Sequence, residues 1–144
     1  MNKIDTLQSL TQTTYDSVEG YRKAIDTADS PAIKSALQNR LNSRERTLET
    51  LNSALEANGG ERVTSTSATA SAHQMFMSIA DAFEDSDENA IERVEEGEDY
   101  IAGQFKDALE DNDVAPALRS VIETAYQDVR SGERFSDMME KQYA

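Results

Sequence analysis

Apolar residues recur along this chain every three or four positions in four long stretches, with polar runs between them. The first stripe is Ile4, Leu7, Leu10, Val18, Tyr21 and Ile25. That spacing places them on one face of an α-helix, which predicts a helix over residues 3–28 with Asn2 or Asp5 as an early cap. Ser30 and Pro31 mark the next start, because the hydroxyl can accept an orphan amide proton and proline at the first helical position loses nothing. Ile33, Leu37, Leu41, Leu48, Leu51 and Leu55 carry this second helix over 31–57, to Gly59 and Gly60, which tolerate the left-handed backbone of a helix end. Ile91, Val94, Ile101, Phe105 and Leu109 predict a third helix, 87–112, introduced by Asp85 and Glu88 at capping-box spacing. Leu118, Val121, Ile122, Ala125, Val129, Phe135 and Met139 predict the fourth, 114–140, after Asp113 and with Pro116 in its first turn.

Rods of about 25 residues are nearly 40 Å long at ~1.5 Å per residue, and equal rods pack side by side. The expectation is an all-α four-helix bundle forming one domain over 1–144. Short links join helix one to two and three to four, so each pair forms an antiparallel hairpin. The hairpins echo each other: "PAIKSAL" opens helix two at Pro31 and "PALRSVI" opens helix four at Pro116. Between them lies a connector too long for a tight turn. Its first part, "ERVTSTSATAS", is polar; its second, "SAHQMFMSIADAFED", sets Met75, Phe76, Ile79 and Phe83 on one helical face, predicting a short helix over 72–84 that lies on the bundle. Such a connector can span the bundle and leave helices two and three parallel, a ferritin-like long crossover; an up-and-down bundle capped by the short helix is the alternative.

The seams are interrupted by charge. Stepping four residues from Val94 reaches Glu98, beside Gly97, and three more reach Ile101. In helix two the step from Leu41 to Leu48 passes through Arg44 or Glu45; Glu19 stands beside Val18, and Glu133 beside Gly132. Burying an unpaired carboxylate is costly, which leaves three readings. Glu19, Glu45, Glu98 and Glu133 could ligate a metal such as iron or manganese; the Glu-x-x-His pattern of dinuclear bundles is missing, since the single histidine, His73, lies in the connector, so only an all-carboxylate site for a hard cation fits. The reading we prefer pairs Glu19, Glu98 or Glu133 with Arg44, Arg40 or Arg22 in a polar layer that fixes helix register. In the third, these groups snorkel to solvent. Tyr15, Tyr21, Tyr100, Tyr126 and Tyr143 read as boundary residues with wet hydroxyls.

Composition narrows the partners. With 28 acidic against 14 basic side chains, the net charge of −14 disfavours nucleic acid and anionic lipid and suits cationic partners or metal ions. The absence of cysteine removes disulfides, thiolate metal sites and thiol nucleophiles. No run approaches a membrane span, and "MNKIDTLQSL" lacks the apolar core of a secretory signal, so a soluble, cytoplasmic protein is expected. There is no phosphate-binding glycine loop, no GxSxG elbow and no histidine-based nucleophile system.

"SVEGYRKA", "RLNSRERTLETL" before the two glycines, "SAHQMFMSI", "AIERVEEGEDYI" and "YQDV", in this order and spacing, resemble a bacterial family of ferritin-like four-helix-bundle proteins of unknown function, found mainly in Proteobacteria. The resemblance implies a ferritin-like bundle, a bacterial source and no established activity. It further implies that Glu19, Glu45 and Glu98 match positions that usually hold acidic residues, whereas the position of Glu133 is one often held by histidine. The functional expectation is a non-catalytic bundle without a cofactor that acts by protein association, a homodimer included. The competing expectation is a metal-binding, oxidase-like protein using the four glutamates.

Overall fold

A computed structural model describes residues 3–66, 86–111 and 114–143. They form four α-helices: α1 (Lys3–Thr27), α2 (Pro31–Ala57), α3 (Ser86–Glu110) and α4 (Pro116–Tyr143). The expected connector helix over 72–84, His73 and the caps Asp85 and Asp113 lie outside the described residues. No described helix is long and apolar enough to cross a membrane.

Local chemistry explains the boundaries. Ser30 caps α2, its hydroxyl accepting from the amide of Ile33. At the other end the Gly60 amide donates to the Leu55 carbonyl and that of Gly59 to Glu56, the paired bonds of a Schellman stop, with Gly59 at φ 85° where side chains are disfavoured. The last helix starts at Pro116, two residues later than its sequence pattern suggests. Proline occupies the first turn, and the Ala115 carbonyl accepts the first intrahelical bond, from Arg119.

The echo between the two helix starts has a physical meaning. Three residues after each proline stands a cation that reaches back to the preceding helix: Lys34 Nζ donates to the Ile25 carbonyl at 2.8 Å, and Arg119 donates to those of Leu109 and Asp111 at 2.6 and 2.7 Å. Both neutralise orphan carbonyls at the negative end of a helix dipole, closing each hairpin tightly.

Each helix packs on two neighbours: α1 on α2 and α3, and α4 on α3 and α2, so the diagonals are α1 with α4 and α2 with α3. The apolar interior divides into two clusters. One joins Leu7 and Leu10 of α1 to Leu51 and Leu55 of α2, Ile101 and Phe105 of α3, and Ile122 and Val129 of α4. The other joins Val18 and Tyr21 to Ile33, Leu37 and Leu41, then Ile91 and Val94, then Met139. The start of α1 therefore meets the end of α2, the end of α3 and the start of α4, which makes α1 and α4 run one way, α2 and α3 the other. Asp87 bonds the amides of Asp29 and Ser30, at 2.7 and 3.0 Å, and so fixes the start of α3 at the α1–α2 hairpin.

Candidate functional site

The two apolar clusters part at mid-bundle, and polar side chains fill the gap. Thr11 and Thr14 of α1 are fully buried yet self-sufficient, since each hydroxyl donates to a carbonyl one turn back, on Leu7 and Leu10. Next to them Arg44 of α2 is fully buried, as is Glu98 of α3 at 1% exposure. Their forks meet face to face: Nη1 donates to Glu98 Oε1 and Nη2 to Oε2, both at 2.8 Å. Nη1 also donates to the Ser17 hydroxyl at 2.6 Å, and Nε to Asp128 Oδ2 of α4 at 2.8 Å, so four of the five guanidinium protons are used and every helix takes part.

Asp128 is held twice more, by Arg40 at 2.8 Å and by the Ser43 hydroxyl at 2.5 Å. Burial alone would raise its pKa; Arg44, Ser43 and Arg40 outweigh that and bring it to about 2. Burial likewise works against the Arg44 charge, and the carboxylates beside it more than compensate, leaving it a permanent internal cation. The guanidinium also stacks over the Tyr21 ring, 5.6 Å from its centroid. Tyr21 is 2% exposed rather than a wet boundary residue, and burial followed by the nearby Glu98 charge raises its phenol above the ordinary value. Its hydroxyl lies near Arg40 without closing a well-formed hydrogen bond.

Gly132 makes room for this layer. A Cβ there would sit 1.6 Å from Glu98 Oε2 and 2.6 Å from Arg44 Nη2. Along α4 the buried series runs Leu118, Ile122, Ala125, Val129, Gly132, Ser136, Met139, alternating steps of four and three. The seam thus passes through Gly132 and Ser136, leaving Phe135 half-buried at its edge.

Of the four glutamates read from the sequence, Glu98 alone enters the core. Glu19 and Glu45 stand at the α1–α2 surface, where Arg22 bridges them. Each is one position off the inward face, beside Val18 and Arg44 respectively. Glu133 is only partly buried, next to Gly132, and its pKa is raised by that burial and then by Asp99 and Asp137. The four do not converge, and among the described residues no group of three or more His, Asp or Glu side chains is placed to hold a metal ion. The expected ion-pair layer forms through Arg44 and Glu98, with Arg40 joining it, whereas Arg22 stays at the surface. Sequence reading missed Asp128 and Ser17. The usable signal was Gly132: a glycine on an apolar seam opposite a glutamate marks space for a large polar group.

A cavity of about 10 Å³ lies between α1 and α3 against Ser17, Tyr21, Val94 and Glu98, room for no more than one water molecule. The carboxylates of the layer are committed to hydrogen bonds from Arg44, Arg40 and Ser43, and its arginine does not deprotonate.

Among solved structures, the chain is similar to that of "YcfI, a putative structural protein from Rhodopseudomonas palustris", with a TM-score of 0.64 at 12% identity, over 99% of this chain and 92% of that one. At that identity the likeness concerns the fold. No curated protein matches the chain. Residues 2–111, which span α1, α2 and α3 with Ser17, Arg44 and Glu98, match the profile described as Domain of unknown function (DUF2383), and the chain belongs to that family.

Proposed function

We propose that this chain is a non-catalytic, ferritin-like helical bundle of the bacterial cytoplasm that works by associating with protein, a second copy of itself included. The observation that carries the reading is the Arg44 guanidinium at the bundle centre, fully buried and bonded to Glu98, Asp128 and Ser17. A guanidinium at the centre of the bundle supplies its positive charge from the chain itself, which supports a reading without a bound ion. The common direction of α2 and α3 supports a long crossover between them, and the sequence resemblance supports the ferritin-like assignment and the bacterial source. A net charge of −14 favours a protein partner over nucleic acid.

Metal analysis of protein purified without chelator tests the reading. We expect iron and manganese far below one per chain, unchanged by Glu98→Ala. Near-stoichiometric metal that disappears in that variant would replace it with an iron- or manganese-binding function. Light scattering at micromolar concentration, alone and with co-purifying proteins, tests association; a strictly monomeric mass in every mixture would remove that part.

A further inference from the structure

The stop at the end of α2 is built from "NGG", and its first two residues are also a reactive pair. Asn58 is the one asparagine of the chain followed by glycine. Gly59 stands at φ 85°, where side chains are disfavoured, so the turn itself demands glycine there. The same missing side chain leaves the Gly59 amide nitrogen unhindered beside the Asn58 carboxamide. Once deprotonated, that nitrogen can attack Asn58 Cγ: the N–Cγ bond forms, the Cγ–Nδ2 bond breaks, and Nδ2 leaves as ammonia. Solvent water then opens the five-membered imide, at Cγ to give aspartate or at the main-chain carbonyl to give isoaspartate, which carries an extra methylene in the backbone.

Both residues are exposed, yet both reacting groups are tied down. Asn58 Nδ2 donates to the Ala54 carbonyl at 2.8 Å, and the Gly59 amide donates to that of Glu56 at 3.2 Å. With Asn58 at ψ 17°, the Gly59 nitrogen is turned away from the Asn58 Cβ, which it has to eclipse for the ring to close. The residues that follow hold the turn in place. The Gly60 amide donates to the Leu55 carbonyl at 2.8 Å, and Gly60 lies so near α1 that a Cβ would stand 2.9 Å from Ile4 Cδ1. Arg62 bridges back to Glu49 and Glu56, and the Asn52 side chain pairs with the Val63 amide and carbonyl at 2.8 and 3.3 Å. Ring closure therefore requires this end of α2 to open locally.

We infer that Asn58 is a covalent modification site, deamidated by its own backbone and gated by the α2 stop: closed in the folded chain, open when residues 58–63 lift away. The product works against re-closure. Either acid sets a carboxylate at the negative end of the α2 dipole and removes the Nδ2 donor to Ala54, and isoaspartate also puts Gly59 and Gly60 out of register with Glu56 and Leu55. A transient opening is thereby converted into a lasting one where α2 meets Ile4.

Peptide mapping by mass spectrometry tests this on the full chain, held at pH 8 in buffer and in 8 M urea, by following exchange of the side-chain NH2 for OH. Asn42, exposed in mid-helix and followed by serine, is the internal reference. In urea Asn58 should convert faster than Asn42, and in buffer its own rate should fall about tenfold or more. Asn52→Ala frees Val63, and Arg62→Ala frees the turn from Glu49 and Glu56 at the surface; neither touches the reactive pair. Each should raise the Asn58 rate in buffer and leave it unchanged in urea. No conversion in urea, equal rates in buffer and urea, rates in both variants equal to the parent's, or a rise that Asn42 shares equally would each overturn the proposal. The converted chain, separated by its added negative charge, should melt below the parent, the isoaspartate form below Asn58→Asp; an unchanged melting curve would overturn the lasting opening.

Discussion

Replacing Gly132 by alanine reverses the usual expectation for a helix interior. Alanine is ordinarily the better helix former by about 1 kcal/mol. Here the added methyl would fall 1.6 Å from Glu98 Oε2 and 2.6 Å from Arg44 Nη2, so the carboxylate has to withdraw and both of its 2.8 Å bonds open. Breaking a buried, hydrogen-bonded ion pair costs roughly 3–5 kcal/mol, because each charge is left in a medium that solvates it poorly. Set against the gain in helix propensity, the net loss is about 2–4 kcal/mol. For a domain of this size that lowers Tm by about 6–12 °C, taking ~3 °C per kcal/mol.

Two comparisons isolate the cause in urea and thermal unfolding followed by circular dichroism. Gly103 is also mid-helix, but a Cβ there meets nothing within 4 Å, so Gly103→Ala should stabilise by about 0.5–1 kcal/mol. In a Glu98→Ala background most of the Gly132→Ala penalty should vanish, a coupling of about 2–3 kcal/mol. If Gly132→Ala proves as stabilising as Gly103→Ala, the ion pair does not pack against α4 and the derivation of the polar layer fails.

Other consequences follow from the same geometry. Asp128 has its folded pKa lowered from 3.8 to about 2, so its contribution of about 2 kcal/mol is fully present above pH 4 and is lost as pH falls from 3.8 toward 2; urea midpoints across that window should fall less in Asp128→Asn. Glu92, Asp99 and Glu133 have the opposite sign, raised first by partial burial and then by neighbours such as Glu140 and Asp137. Stability should therefore rise as pH falls through their raised pKa values toward the ordinary 4.5 of Glu and 3.8 of Asp, an effect that 0.5 M salt flattens if like-charge repulsion contributes. Arg44→Met alone should cost about 3–5 kcal/mol, and adding Glu98→Leu should restore much of it in denaturation midpoints, since Asp128 keeps Arg40 as its partner and no charge is left orphaned. Arg119→Ala should cost about 1–2 kcal/mol by freeing the carbonyls of Leu109 and Asp111, and Lys34→Ala, with one bond to lose, about 1 kcal/mol or less.

The helices were legible because each carries its own instructions: a 3.6-residue stripe, Ser30 and Pro31 at one start, Gly59 and Gly60 at one stop. Glu98 was legible for a related reason, being flanked by Val94 and Ile101 on an otherwise apolar face. Its partners were not. Arg44 and Glu45 are adjacent and differ by 100° of rotation, and a sequence does not state which of two neighbours faces inward until the other three helices are in place. The buried face of α1 was harder still. Between Leu10 and Val18 the stripe of α1 has no aliphatic residue, yet Thr11, Thr14 and Ser17 are buried, because the threonines satisfy their hydroxyls within their own helix and Ser17 meets a guanidinium from another. Asp128 escaped because the seam of α4 was traced through Phe135 instead of Gly132 and Ser136.

A tethered cation differs from a bound one in a way that unfolding can detect. An ion held by the native state alone adds RT ln(1 + [L]/Kd) to stability, about 2.7 kcal/mol at a hundredfold excess over Kd, and its removal lowers Tm accordingly. Arg44 is covalently part of the chain, so the charge that draws Glu98 and Asp128 together is present at any ion concentration. Its planar fork also matches Glu98 at one register only, since sliding α2 by one turn, ~5.4 Å, would put Leu41 or Leu48 opposite the carboxylate. The unfolding midpoint should then be the same, within about 1 °C, in EDTA and in 1 mM manganese or ferrous iron under anaerobic conditions. A metal-dependent rise of several degrees that disappears in Glu98→Ala would mean that these carboxylates exchange Arg44 for an ion, and that the guanidinium is a placeholder in an otherwise competent metal site.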